Sequence, residues 1–207
     1  AWILERLGAL PEDEFKVLLL NDSDKVRTHA ARILAERATW TDFDRQSALQ
    51  LLDDPHPLVR RAAADALGRR PQREFLVPLM NTSAHTGLDD PFLRHTIKIA
   101  LRNHLLVDEI ATAVEFKSMA FTRNSALLAS AALGAHTAAA AGMLLRAVRY
   151  GVHSEVNRGE ILRHLARYAP PDELRGFIAE LSASSNPPGE QHRQGRSADQ
   201  RHVSQAG

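Results

Sequence analysis

The chain has no cysteine among its 207 residues. That excludes a disulfide framework, a cysteine nucleophile, a thiolate metal site and a c-type haem attachment within it. Aromatic residues are scarce, at 5%. A β-sandwich would call for more Tyr, Val, Ile and Thr than are found here. No apolar run reaches the roughly 18 residues a membrane-spanning helix needs. An excess of one charge sign is also missing. The formal net charge is +1, so bulk electrostatics argue neither for nor against nucleic acid. Gly-x-Gly-x-x-Gly, the phosphate-binding loop and Gly-x-Ser-x-Gly are all absent, so none of the enzyme classes they mark is signalled.

What is present is alanine, leucine and a repeat. Asn21-Asp-Ser-Asp-Lys-Val-Arg-Thr-His-Ala-Ala-Arg-Ile-Leu34 aligns with Asp54-Pro-His-Pro-Leu-Val-Arg-Arg-Ala-Ala-Ala-Asp-Ala-Leu67. Arg27 falls on Arg60, Ala30 on Ala63 and Leu34 on Leu67, each 33 residues apart. The pattern continues with falling fidelity at Arg94, Arg123 and Arg158, so that the steps between arginines are 33, 34, 29 and 35. A period in this range marks a repeat architecture.

Each anchor lies on a segment with apolar residues at spacings of three and four, the signature of one helix face. Ser23 or Asp24, Asp54-Pro55 or Pro57, and Asp90-Pro91 supply helix-start chemistry. A leading amphipathic helix is expected before each anchored one, over 11–20, 42–52, 72–81, 105–120 and 136–150, with a sixth at 171–182. The anchored helices are expected over 24–37, 57–70, 91–104, 122–134 and 154–169. The alanine-rich run 129–141 also reads as one long helix. Thr82 to Asp90 reads as a longer protruding turn. A pair this short cannot bury its own apolar stripe, so neighbours must stack. The expected fold is all-α, a right-handed α-solenoid of about five helix pairs over 1–182. Residues 183–207 are dominated by Ser, Asn, Pro, Gly, Gln, His and Arg, a composition expected of a disordered tail or linker. The opening Ala1-Trp2-Ile3-Leu4 lacks an initiator Met, so the chain is expected to be part of a longer protein. Trp2, Leu4 and Leu7 are expected to pack on the first full pair.

Asp-x4-Val-Arg-x2-Ala-x3-Leu, best kept from Asp54 to Leu67, resembles the HEAT repeat. That resemblance implies a helical scaffold for binding other proteins and no catalysis. Trp2-Ile-Leu-Glu-Arg-Leu-Gly8 and Asp90-Pro-Phe-Leu-Arg-His-Thr-Ile-Lys-Ile-Ala-Leu-Arg102 are also similar to the HEAT region of large planctomycete-type proteins. Those join a dehydrogenase-like propeller, HEAT repeats and a c-type cytochrome. The likeness implies a periplasmic structural module, and otherwise a cytoplasmic address. Cys-x-x-Cys-His is absent, so no haem residue carries over and no cofactor is expected.

Two features are candidates for function. The first is the arginine ladder Arg27, Arg60, Arg94, Arg123 and Arg158. It either grips an acidic partner or pairs with turn carboxylates Asp22, Asp54 and Asp90 of its own or the next repeat. The second is a charge asymmetry. The anchored helices carry 15 Lys and Arg against 5 Asp and Glu, whereas the leading helices are net −7. In HEAT stacks the anchored helices line the concave side, so the resemblance implies a basic groove to which Arg61, Arg69, Arg70, His95, Lys98, Arg102, Arg163 and Arg167 would add. Its expected partner is a protein or a neighbouring domain of the same polypeptide. Nucleic acid is the alternative, since phosphate affinity is chiefly electrostatic. A small-molecule ligand is not expected. None of the ten histidines has metal-ligand spacing, so no metal site is expected. Asp53-Asp54 and Asp89-Asp90 precede helix starts, where carboxylates serve as caps.

Overall fold

The computed structural model describes residues 1–86, 90–116, 123–151 and 158–185. Among them are twelve α-helices and no strand. They are α1 Trp2–Arg6, α2 Glu12–Leu19, α3 Asp24–Glu36, α4 Asp42–Leu52, α5 Pro57–Gly68, α6 Leu76–Thr86, α7 Pro91–Leu105, α8 Asp108–Thr112, α9 Arg123–Ala132, α10 Ala138–Arg149, α11 Arg158–Tyr168 and α12 Pro171–Ser185. A 3-10 turn, Arg73–Phe75, leads into α6. Two compact units divide the chain, Ala1–Ala169 and Pro170–Gly207. The second contains α12. The expected tail over 183–207 falls from residue 186 onward outside the described residues.

The aligned positions build the core. Ala30, Ala63, Leu34, Leu67, Ile97 and Leu101 have no exposed surface, and Ile161 and Leu165 are nearly as buried. Each large aliphatic side chain so buried contributes about 1.5–3 kcal/mol. α2 packs on α3, α4 on α5, and α6 on α7, while α3, α5, α7 and α9 lie side by side. α5 and α7 approach closely at Gly68, where a Cβ would stand 2.8 Å from both the Cα and the Cβ of Ala100. Only hydrogen at that position lets α5 and α7 meet backbone to backbone.

Local chemistry sets the starts. Thr41 and Asp44 form a reciprocal capping box at α4. Asp90 caps α7 by accepting from the Leu93 amide at 2.9 Å, with Pro91 in the first turn. At α5 the cap is His56, not Asp54. Asp54 stands two residues earlier and accepts from the His56 amide at 2.8 Å.

Three expectations are corrected, and over 129–141 the two-helix expectation holds against the single long helix. Thr82 to Thr86 continue α6 rather than forming a turn, with the Thr82 hydroxyl donating to the Pro78 carbonyl at 3.1 Å; residues 87–89 lie outside the description. The leading helix expected over 105–120 is only Asp108–Thr112, because α7 runs on to Leu105 and takes the first of those residues; 117–120 also lie outside. The run 129–141 is two helices, because Thr137 caps α10 at the Ala140 amide, 3.1 Å away. Trp2 does reach the first full pair, donating to His29 Nδ1 at 3.2 Å. Leu7, however, stays 73% exposed. α1 is held instead by Glu5, which accepts twice at 2.9 Å from Arg37.

Candidate functional site

The arginine ladder divides into inward and outward members. Arg27 clamps Asp54 of the following repeat through two bonds, Nε to Oδ2 at 2.7 Å and Nη2 to Oδ1 at 3.0 Å. Its Nη1 donates to the Asn21 and Asp22 carbonyls of its own turn at 2.7 and 2.9 Å. The two side chains are 15% and 6% exposed, so solvent screens this pair poorly. Burial alone would raise the Asp54 pKa. The Arg27 guanidinium and the His56 amide outweigh it and hold the carboxyl below its ordinary value. The surrounding cleft, about 620 Å³, is lined by residues of the same two turns, of α4, the end of α2 and Arg27 itself.

Arg60 repeats half of this arrangement. Its Nη1 donates to the Asp54 and Pro55 carbonyls at 2.8 and 2.9 Å. Its Nε is buried without a hydrogen-bond partner. The carboxylate of the next repeat, Asp90, is taken by Arg61 at 2.7 Å. The Arg61 guanidinium also lies 5.0 Å over the Phe92 ring. Burial pushes the Asp90 pKa up, but the Leu93 amide and Arg61 bring it below the usual carboxylate range.

The remaining candidates are placed as follows. Arg94 is half-buried, and His95 and Lys98 are exposed on α7. Arg102 is half-buried and donates to Asn103 Oδ1 at 2.8 Å, while Asn103 donates to the Gly68 carbonyl at 3.2 Å. Arg123 is the first residue of α9. Arg158 and Arg163 are exposed on α11.

The structure therefore brings Arg27, Arg60 and Arg61 into the turns and leaves a different set of cations outside. On α3 the exposed positions include Lys25, His29, Arg32 and Glu36; on α5 and its C-terminal cap they include Leu58, Asp65 and Arg69; on α7 they include Phe92, His95, Lys98 and Ile99. The carboxylates of these three helices are engaged: Asp24 with His56, Glu36 with Arg6, Asp65 with Arg69. Lys25, Arg32 and Lys98 have no ion pair among the described residues. Leu58 and Phe92 are 49% and 69% exposed.

Two residues carry roles that the repeat pattern does not signal. Arg37 ends α3 and bonds both Glu5 and Asp44 while lying 4.1 Å over the Phe15 ring. It ties α1, α3 and α4 together. It lies outside the aligned motif, so periodicity gives no sign of it. His104 is fully buried, with Nδ1 2.8 Å from the Ala100 carbonyl and Phe75 edge-on at 6.2 Å. Its Nε2 has no partner, and burial lowers its pKa. Among the described residues no group of three or more His, Asp or Glu is placed to hold a metal ion. No helix there is long and apolar enough to cross a membrane.

Residues 13–102 match the family model of HEAT repeats. No curated protein and no solved structure matches the chain.

Proposed function

From the premise that this chain is a helical stack built on HEAT repeats, we propose that it is a non-catalytic interaction scaffold. Its docking surface is the exposed face of α3, α5 and α7, and the partner segment it fits is acidic. HEAT repeats commonly serve as protein-interaction scaffolds and are typically non-catalytic. The observation that carries the reading is the sorting of charge. Turn arginines are spent inside the stack, the carboxylates of the three helices are already paired, and Lys25, Arg32 and Lys98 remain outside without an ion pair among the described residues. Exposed Leu58 and Phe92 beside them give an apolar anchor point. A few buried side chains, chiefly aromatic residues and arginine, supply most of the affinity of a protein interface, and complementary charge supplies orientation and encounter rate. The partner is a separate protein or a neighbouring domain of the same polypeptide.

An array of immobilised acidic peptides, with and without a leucine or aromatic residue, tests this reading. The chain is expected to prefer acidic peptides that carry the apolar residue, and Phe92→Ser to weaken retention roughly tenfold, the scale of an interface anchor. Retention of basic peptides, or no effect of Phe92→Ser and Leu58→Ser, counts against it.

The same cations favour nucleic acid as a second reading. Fluorescence-anisotropy titration of labelled DNA and RNA at about 50 and about 200 mM salt separates the two, because phosphate contacts make affinity fall steeply with salt. The scaffold reading expects no steeply salt-dependent binding. Binding that is steep in salt and lost in Arg32→Glu/Lys98→Glu would replace it with the nucleic-acid one.

A further inference from the structure

We propose that the cleft between the α9–α10 turn and α11 is an oxyanion site, taking a phosphate or carboxylate group between Arg163 and Arg167. The cleft is open, about 340 Å³, and is lined by Leu133, His136, Glu160, Arg163, His164, Arg167 and Tyr168. It is separate from the face of α3, α5 and α7, and the proposal stands independently of that reading.

Arg163 and Arg167 are one helical turn apart on α11, about 6 Å along its axis, so their side chains share a face. Both are exposed. Neither has an ion pair among the described residues, in contrast to Arg27, Arg37, Arg61 and Arg69. Arg167 lies 5.7 Å over the Tyr168 ring, which positions its guanidinium beside the cleft.

The aromatic wall is already assembled. His136 stacks on Tyr168 with centroids 5.0 Å apart and planes 6° from parallel, and His164 packs against Tyr168 at 4.8 Å. These rings cover one another, so the wall offers little free π-face for an aromatic ligand. His164 closes the inner end of the cleft, 93% buried, with an Nε2 that has no hydrogen-bond partner. Burial, and the neighbouring His136, press its pKa down.

The charge available to a ligand therefore comes from two arginines, opposed by the single carboxylate of Glu160. A cation would face net repulsion from that balance. Forked guanidinium donors match the oxygens of a phosphate or a carboxylate.

The test is an NMR titration of the full 207-residue chain with inorganic phosphate. It follows the imidazole signals of His136 and His164 and the Nε–H signals of Arg163 and Arg167. Saturable shifts at these four are expected, with affinity falling roughly tenfold in Arg163→Gln or Arg167→Gln, as for loss of a charge-assisted bond. Both positions are exposed, so both variants should retain the parent melting midpoint. Lys98→Gln should leave the titration unchanged. A parallel titration with N-acetyl-aspartate amide separates the sources. A stronger response to phosphate assigns a phosphorylated ligand, and a stronger response to the aspartate amide assigns an acidic side chain. Shifts that never saturate, that persist in the double variant, or that weaken equally in Lys98→Gln reflect diffuse surface charge and overturn the site.

Discussion

At the scale of single residues, the burial of polar groups decides which side chains are structural. Arg27 and Asp54 satisfy each other in a poorly solvated turn. The sequence pattern makes a turn carboxylate the natural partner of each ladder arginine, and in the first case that is the pairing found. In the second it is displaced by one residue, from Arg60 to Arg61. Asp90 is itself the helix cap, whereas Asp54 precedes the cap His56 by two residues. The carboxylate therefore meets α5 from a different place. An alignment of motifs cannot reveal such a shift. The buried histidines were equally illegible, since a histidine on an apolar face has no sequence mark that says whether both its nitrogens find partners. They do carry a consequence for pH. The pKa values of His104 and His164 are both lowered from 6.5 by burial. The folded chain then binds fewer protons than the unfolded one below about pH 6.5, so stability is full above that value and lost as pH falls below it. The melting midpoint should be flat above about pH 7 and should fall toward pH 5. His104→Leu should flatten part of that fall while leaving stability at neutral pH nearly unchanged, because it removes an unpartnered buried nitrogen. An unaltered pH profile in this variant would count against the buried neutral state of His104.

At the scale of elements, legibility followed repeat fidelity. α4 occupies the residues expected of it, and α5 and α7 begin where their prolines and caps place them. In these segments period, cap and core all point to one answer. The leading helix expected over 105–120 failed because Leu105 completes the apolar face of α7, which already includes Ile97 and Leu101. A periodic stripe does not say which helix owns a residue at its end. Gly68 is another property of packing rather than of pattern. In an isolated helix Gly68→Ala would stabilise, since Ala is the better helix former by about 1 kcal/mol. Here the added methyl meets Ala100 backbone at 2.8 Å, and overpacking costs about 1–3 kcal/mol. The variant is expected to be no more stable than the parent and up to about 2 kcal/mol less so in urea unfolding. A clear gain in stability would show that α5 and α7 are not in such close contact.

At the scale of the molecule, a HEAT stack owes its register to what joins one repeat to the next. The clamps Arg27–Asp54 and Arg61–Asp90 make those joints, whereas Lys25, Arg32 and Lys98 of α3 and α7 are exposed and have no ion pair among the described residues. The scaffold reading follows from that division of labour. The repeat fold itself was legible from the 33-residue offset between two segments. The candidate surface was legible only as an excess of positive charge on the anchored helices. Which cations face outward depends on contacts between residues 27 to 29 positions apart.

The measurement that tests this most directly is a double-mutant cycle on Arg27→Met and Asp54→Asn, read by urea unfolding of the full chain. If the ladder arginine is an internal joint, each single variant loses about 3–5 kcal/mol, as when one partner of a buried pair is removed. The double variant then loses clearly less than the sum, with a coupling of about 2 kcal/mol or more. A coupling near zero, with single losses within the roughly 0–1 kcal/mol of an exposed pair, would contradict the account and return Arg27 to the set of residues free to bind a partner.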